Sequence, residues 1–219
     1  MRLPIIAGPL RGRWWLPQSR GKILRILGGS YEPEQTQLFQ QQIPAGATVF
    51  DVGAHVGYYT LLSAVLTGPR GRVFAFEPNP VNHTFLQRHV TLNRLANVTV
   101  ENAAVSDRNG TAAFAFGTGS GTGRLDAGGK LEVRTLRLDD FCRAQDVRPG
   151  FIKIDVEGAE LHVLRGAAEN IEAHHPVIFL STHGPQVHSE CLAWLRERNY
   201  ALHPIAGADL QTASEVLCT

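Results

Sequence analysis

In the stretch VFDVGAHVGYYT (49–60), an apolar run ends in Asp51 and is followed by Gly53, His55 and Gly57. Gly53 permits a sharp turn and close backbone approach. Gly57 lets the next helix pack on the strand, and that helix aims its first amides at a ligand. A second acid, Glu77, ends the run VFAFEP 26 residues after Asp51. That is close to the spacing at which a carboxylate takes a ribose diol, and such an acid suits a ribose without a phosphate. A dinucleotide cradle would want G-x-G-x-x-G, whereas this turn reads G-x-x-x-G. The leading Asp51 instead suits positive charge near the turn, such as the ammonium group of an amino acid joined to a nucleoside.

Further along, IKIDVEGAE (152–160) carries Asp155, Glu157 and Glu160. If the chain stays extended there, Asp155 and Glu157 face one side, and Glu160 falls in the first turn of a helix, where negative charge is favoured. The run PVIFLST ends in Ser181, Thr182 and His183. An imidazole beyond a strand's carboxyl end can serve as general base near neutral pH. Asp155 can take or orient a hydroxyl proton, with Glu157 and Thr182 as supporting contacts. The competing reading is structural: acids that balance a helix N-terminus, and a histidine that only packs. Lys153 has the parity of Asp155 and is expected to pair with it. His188 follows His183 by five residues, which is not a helical ligand pair, so no metal site is expected; a hard divalent ion held by Asp155 with a nearby acid or amide is the open alternative. His83, His89, His174, His175 and His203 are expected at the surface or in packing.

These residues need a sheet whose strands end together. Short β-rich runs alternate with amphipathic stretches, the pattern of a parallel sheet flanked by helices. Strands are expected at 48–53, 72–78, 98–106, 151–157 and 176–182, most of them continuously apolar, as strands buried on both faces are. Helices are expected at 79–94 (Val81, Phe85, Leu92 beside Leu86 and Val90), 159–172 (Leu161, Leu164, Ala168, Ile171) and 186–198 (Val187, Cys191, Trp194, Leu195). Between 107 and 141 the alternation breaks, and TAAFAF and LEVRTLRLDDF read as an inserted hairpin around GTGSGTGRLDAGG (117–129). That glycine-rich tract lacks the context of a phosphate loop and reads as a mobile connection. The tail, YALHPI and SEVLCT, offers an antiparallel edge pair.

A chain of 219 residues, 43% hydrophobic and 19% charged, fits one α/β domain with a real core. Its net charge of +1 makes no case for nucleic acid. The charge is uneven, however. Residues 1–31 hold Arg2, Arg11, Arg13, Arg20, Lys22 and Arg25 and no acid, while the remainder is net negative. A basic N-terminal arm over 1–30, with Trp14 and Trp15, can meet a membrane surface, an anionic substrate or another subunit; folding over the domain's own acidic surface is the default. A single domain over 31–219 follows. Three cysteines without a CxxC pair suit a reducing compartment. LPIIAGPL is a poor leader core and no stretch is long enough to span a bilayer, so a cytoplasmic protein is expected.

The segments GGSYEPE, VFDVGAHVGYYT, VFAFEPNP, LNRLANVTVENAAVSD, TLRLDDF and IKIDVEGAELHVLRGA together resemble the FkbM-type family of S-adenosylmethionine-dependent methyltransferases over about residues 28–200. The resemblance implies a Rossmann-like class I sheet, mostly parallel and seven-stranded, with helices on both faces. It implies S-adenosylmethionine as cofactor, a ligand that carries an ammonium and a sulfonium and no phosphate. Asp51, Gly53 and Gly57 would hold its methionine part and Glu77 its ribose. Asn102 and Ala103 would border adenine, and Ala54, Tyr58 and Pro78 would lie among the contacts. The family's usual DVGAN reads DVGAH here, so His55 is read as a cofactor contact. Tyr31 and Glu32 match a motif that closes over the site. The expected reaction is O-methylation of a small-molecule or sugar hydroxyl, with His183 or Asp155 as base. A nicotinamide-dependent oxidoreductase and a non-catalytic binding module are the alternatives. The acceptor, and whether the chain forms a homo-oligomer, are not set by the sequence.

Overall fold

The computed structural model describes residues 1–19, 22–116, 123–205 and 209–219. The chain opens with the strand pair β1 (Leu3–Pro4) and β2 (Trp14–Trp15), then α1 (Ile23–Leu27) and α2 (Pro33–Gln42). Strand and helix then alternate through β3 (Thr48–Val52), α3 (Tyr58–Thr67), β4 (Arg72–Phe76), α4 (Pro80–Leu92) and β5 (Val98–Glu101). Four short strands follow: β6 (Ala104–Val105), β7 (Gly110–Phe116), β8 (Gly123–Leu125) and β9 (Leu131–Leu136). The chain then continues through α5 (Leu138–Gln145), β10 (Phe151–Ile154), α6 (Glu160–Gly166), α7 (Ala168–His174), β11 (Val177–Ser181), α8 (Pro185–Arg196), β12 (Leu202–Pro204) and β13 (Glu215–Cys218).

Seven strands form the main sheet in the order β12-β13-β11-β10-β3-β4-β5. All neighbours are parallel except at β13, which runs antiparallel to β11 and β12. This is the expected Rossmann-like sheet with its reversed edge. The alternation of side chains along each strand feeds two separate cores. Phe50, Val52, Phe74, Phe76, Ile152, Ile154, Ile178 and Leu180 pack with α5 to α8. Val49, Val73, Ala75, Phe151 and Phe179 face the other way, toward α2, α3 and α4.

Register decides where the strands end. Val52 lies opposite Ile154, and Ile154 opposite Leu180. The carboxyl ends of β3, β10 and β11 therefore stop in step, and the turns that follow them share one rim.

Several boundaries differ from the sequence reading. The run 98–106 is two strands, because β6 leaves the main sheet and pairs with β9. The expected hairpin is a four-stranded sheet, β6-β9-β7-β8. Its last part, LDDF, is not strand but the start of α5. In the glycine-rich tract, residues 117–122 lie outside the described residues, and 123–125 form β8. The strand expected at 151–157 stops at Ile154. Glu157 has φ 58°, so the extended geometry invoked for Asp155 and Glu157 does not hold. The helix expected at 159–172 is broken at Ala167 into α6 and α7. On α4 the buried stripe runs through Leu86 and Val90, while Val81 is 59% exposed.

The N-terminal segment covers an apolar face rather than an acidic one. Ile5, Leu10, Trp15 and Ile26 enter the same core as Phe39 and Leu61. Trp15 stacks on His89 with ring centroids 3.9 Å apart. His89 Nε2 accepts the Leu16 amide at 3.0 Å, so its Nδ1 donates to the Val56 carbonyl at 2.7 Å. Burial depresses this imidazole to about 4, and it stays neutral as a clamp between arm and turn.

Candidate active site

Beyond the carboxyl ends of β3, β4 and β10 lies a cavity of about 270 Å³. Its position follows the rule for open α/β sheets, in which ligands bind outside those ends. The turn after β3 forms its floor. Gly53 has φ 77°, and a Cβ there would collide with the carbonyl oxygen of Asp155. Only glycine lets these two strand ends touch. Gly57, at φ 99°, caps α3 and packs 2.6 Å, at an imagined Cβ, from Leu86 Cδ1.

Asp51 stands behind this turn, 1% exposed. Its Oδ2 accepts the Thr60 hydroxyl at 2.5 Å, and its Oδ1 lies 3.3 Å from Lys153 Nζ. Lys153 is itself buried. It donates to the Gly53 carbonyl at 2.8 Å and lies 3.7 Å from Asp155. Burial alone would lower its pKa, but Asp51 and Asp155 outweigh that and raise it, so the ammonium is retained. The pairing expected of Lys153 with Asp155 is present, and Asp51 is the nearer partner.

Glu77 follows β4 and is 5% exposed. Its Oε2 accepts the His55 amide at 2.7 Å and its Oε1 the Asn79 amide at 2.9 Å. Burial outweighs those bonds and pushes the carboxyl up to about 7. The Asn82 side chain bonds the same carboxyl, which as a roughly four-site acceptor still has room for a hydroxyl donor. Asn102 donates to the Glu77 carbonyl at 2.9 Å and so fixes the strand end rather than lining the cavity. Ala103 does line it.

The far wall is aromatic. Tyr31, Tyr58 and Tyr59 border the cavity; the Tyr59 hydroxyl donates to Glu32 Oε2 at 2.6 Å, and Thr36 shares a 3.0 Å bond with the Tyr58 hydroxyl. Burial raises both Tyr58 and Tyr59, which stay protonated. Three of the lining residues, Glu32, His55 and Glu157, adopt left-handed φ values of 41°, 52° and 58°. Backbone strain of this kind collects at functional sites.

Where β10 and β11 end, acids gather around one imidazole. His183 Nδ1 lies 2.8 Å from Glu160 Oε1, and Nε2 lies 3.5 Å from Glu157 Oε2 and 3.8 Å from Asp155 Oδ1. Glu160 is fully buried and also accepts the Gly158 amide at 3.0 Å. The Glu160 bond raises the His183 pKa, against a burial effect that lowers it, with Glu157 and Asp155 adding to the rise. Among the described residues, no cluster of three or more His, Cys, Asp or Glu is arranged to hold a metal ion.

Eleven of the site residues named from the sequence line the cavity: Tyr31, Glu32, Gly53, Ala54, His55, Tyr58, Glu77, Pro78, Ala103, Asp155 and Glu157. Asp51, Gly57 and Asn102 support it from behind. His183 stands just outside the lining, against Asp155 and Glu157. Thr182 is turned away, bonded to His188 Nδ1 at 2.8 Å and the Ser214 carbonyl at 3.2 Å. Sequence reasoning did not place Tyr59, Lys153, Phe114, Arg124 and Leu125 in the cavity. Tyr59 sits beside Tyr58 directly after the glycine turn, which was a usable signal. Lys153 comes from β10, and Phe114, Arg124 and Leu125 come from β7 and β8, whose approach to the cavity no local pattern announces.

A glycine that only glycine can be, a buried acid with free lone pairs, an ion-paired floor and an aromatic wall fit an amino-acid-bearing nucleoside. Comparison with known proteins agrees. The methyltransferase FkbM domain model matches residues 51–202. Hexuronic acid methyltransferase AglP of Haloferax volcanii is 27% identical over 165 residues, covering 74% of this chain and 66% of that protein. The 31-O-demethyl-FK506 methyltransferase FkbM of Streptomyces tacrolimicus is 29% identical over 163 residues, 58% of this chain and 62% of that one. The chain thus spans less than two thirds of the length of these relatives. Among solved structures, methyltransferase FkbM from Methylobacillus flagellatus shares the fold at TM-score 0.56 and 21% identity, over 79% of this chain and 43% of that one. Aeropyrum pernix fibrillarin, crystallised with natively bound S-adenosyl-L-methionine, does so at 0.54 and 12%, over 84% and 72%. The chain belongs to the methyltransferase FkbM family, whose fold is that of the S-adenosylmethionine-dependent methyltransferases.

Proposed function

We propose that this protein methylates a hydroxyl group of a sugar or other small molecule, using S-adenosylmethionine, with His183 as general base. The observation that carries the proposal is the acid-held imidazole at the cavity rim: Glu160 on Nδ1, with Asp155 and Glu157 facing Nε2. Hydroxyl acceptors need a base because their pKa lies far above neutral.

Gly53, Ala54 and His55 would hold the methionine part of the cofactor, with Asp51 and Lys153 setting the charge beneath them. Glu77 would take the ribose, and Pro78 and Ala103 would flank adenine. The cofactor supplies an electrophilic methyl group on a sulfonium, open to in-line displacement. The protein's share is alignment, exclusion of water and removal of one proton. His183 Nε2 takes the hydroxyl proton. Glu160, donated to by Nδ1–H, then stabilises the imidazolium, as a buried carboxylate does for a catalytic histidine. Asp155, on the cavity side of the same imidazole, orients the hydroxyl. A sugar acceptor is supported by the likeness to the hexuronic acid methyltransferase, and other small-molecule hydroxyls by the FkbM relative.

Thermal shift with S-adenosylhomocysteine and with NAD tests the cofactor, since a ligand stabilises only the fold that binds it. Stabilisation by the first alone is expected. Turnover of a panel of sugar and polyketide hydroxyls by His183→Ala and Asp155→Ala proteins tests the rest. Unchanged turnover in both would refute the assignment.

A further inference from the structure

Five large apolar side chains are strongly exposed among the described residues, and three of them, Met1, Ile6 and Leu24, lie in the first 24. Ile6 and Leu24 are 68% and 85% exposed, although their neighbours Ile5 and Ile26 are buried at 1% and 3%. The arm thus has an inner and an outer apolar face. Ile6 lies at the start of the β1–β2 connection, next to Ile5, whose amide donates to the Arg13 carbonyl at 2.8 Å. This connection docks beside α1: the Ile6 amide donates to the Leu27 carbonyl at 2.9 Å, and a side chain on Gly29 would collide with Ala7. Two segments distant in sequence therefore present their outer apolar side chains from one small platform.

The platform is predominantly basic. Arg2, Arg11, Lys22 and Arg25 are exposed, no acid occurs before Glu32, and Glu32 lies 3.9 Å from Lys22 Nζ. Arg13 continues the basic surface into a groove that it lines with Arg70, Arg72 and Arg94 and no acid. We propose that this outer face of the N-terminal arm docks on an anionic lipid surface, with Ile6 and Leu24 inserting among the acyl chains and the arginines and Lys22 meeting headgroup phosphates.

Exposed aliphatic side chains ringed by Lys and Arg are the pattern of an interfacial membrane contact, in which apolar insertion and attraction to anionic lipid act together. Single-stranded nucleic acid would want exposed aromatic faces for stacking. The arm's two tryptophans are already used, Trp15 in the core against His89 and Trp14 beneath the Arg2 guanidinium at 4.4 Å. A second copy of the chain would bring two all-basic arms together, which repel. The inference is independent of methyl transfer, and binding is its readout.

The test is co-sedimentation of the full chain with vesicles of equal parts phosphatidylglycerol and phosphatidylcholine, and with phosphatidylcholine alone. Pelleting with the anionic vesicles only, weakened at high salt, is expected. Ile6→Ser/Leu24→Ser and Arg11→Gln/Lys22→Gln/Arg25→Gln should each weaken it by about tenfold or more, with unchanged melting temperatures, because both apolar and charged contacts are needed for stable attachment. Protein that stays in the supernatant with anionic vesicles overturns the proposal. So does attachment that survives both sets of substitutions, tight binding of a nucleic acid duplex in its place, or a dimer that only the arm substitutions dissolve.

Discussion

His183 Nδ1 and Glu160 Oε1 stand 2.8 Å apart, one at the end of β11 and the other in the first turn of α6, and the acid is fully buried. The pair converts an otherwise ordinary imidazole into one with a fixed tautomer: Nδ1 carries the proton given to Glu160, and Nε2 is left to accept.

This arrangement predicts a pH profile. The Glu160 bond and the Glu157 and Asp155 charges raise the His183 pKa above the usual 6.5, so the proposed base is protonated, and idle, over a wider acid range. The limb of kcat/KM should therefore rise with pH at a value above the ordinary histidine position. His183→Ala should cost about 10²- to 10⁴-fold in kcat, the usual worth of a positioned base. Glu160→Gln should move the limb to lower pH while leaving cofactor affinity intact. A limb that does not move with Glu160→Gln would remove Glu160 from its positioning role.

Glu77 predicts a second, separate pH dependence. Its carboxyl sits at about 7 because it is buried, and a ribose diol needs it as an ionised acceptor. Affinity for S-adenosylhomocysteine should rise roughly tenfold from pH 6 to pH 8, following the ionised fraction. Glu77→Gln should flatten that slope. In the ligand-free protein the sign is opposite. A folded pKa above the unfolded one gives a stability contribution that is present below about 4.5 and lost as pH rises through about 7. Calorimetry of both titrations checks the two directions.

Gly53→Ala should destabilise the protein and abolish cofactor binding. Alanine at φ 77° costs about 1–2 kcal/mol in backbone strain alone, and here the new Cβ also meets the Asp155 carbonyl. Gly46 provides the control: its φ is 82°, but nothing lies within 4 Å of a Cβ there. The difference in melting temperature between Gly53→Ala and Gly46→Ala reads the collision.

Lys153→Met should cost about 3–5 kcal/mol by leaving Asp51 buried without its counter-charge. Lys153→Met with Asp51→Asn should recover part of that loss. A double-mutant cycle by urea unfolding measures the coupling, and additive losses would mean that the two charges act independently.

The strand cores were readable because continuous apolar runs such as VIFLS have few other places to go. The glycine turn was readable because its residue types admit few geometries. What escaped the sequence was set by neighbours. Glu157 left the extended line because the strand ends one turn earlier, at Ile154, yet it still reached His183 by a different route. Thr182, at the end of β11 by position, turned to His188 because a buried hydroxyl takes the partner at hand. Val81 matched the helical period, but it lies in the first turn of α4 and is exposed, while Leu86 and Val90 face inward. Of the four-stranded sheet only the hairpin of β7 and β9 was legible; β6 and β8 escaped because they are two and three residues long, and β6 pairs with a segment about thirty residues away.

That small sheet shares no backbone ladder with the main sheet and is tied to it by the Arg134–Glu101 side-chain bond, yet Phe114, Arg124 and Leu125 reach from it into the cavity that Gly53 and Glu77 also line. Grip and visor are thus built from separate parts. Under the proposed function, the cradle grips the cofactor and these strands overhang it, so a change in β7 or β8 alters the cavity wall without disturbing Gly53 or Glu77.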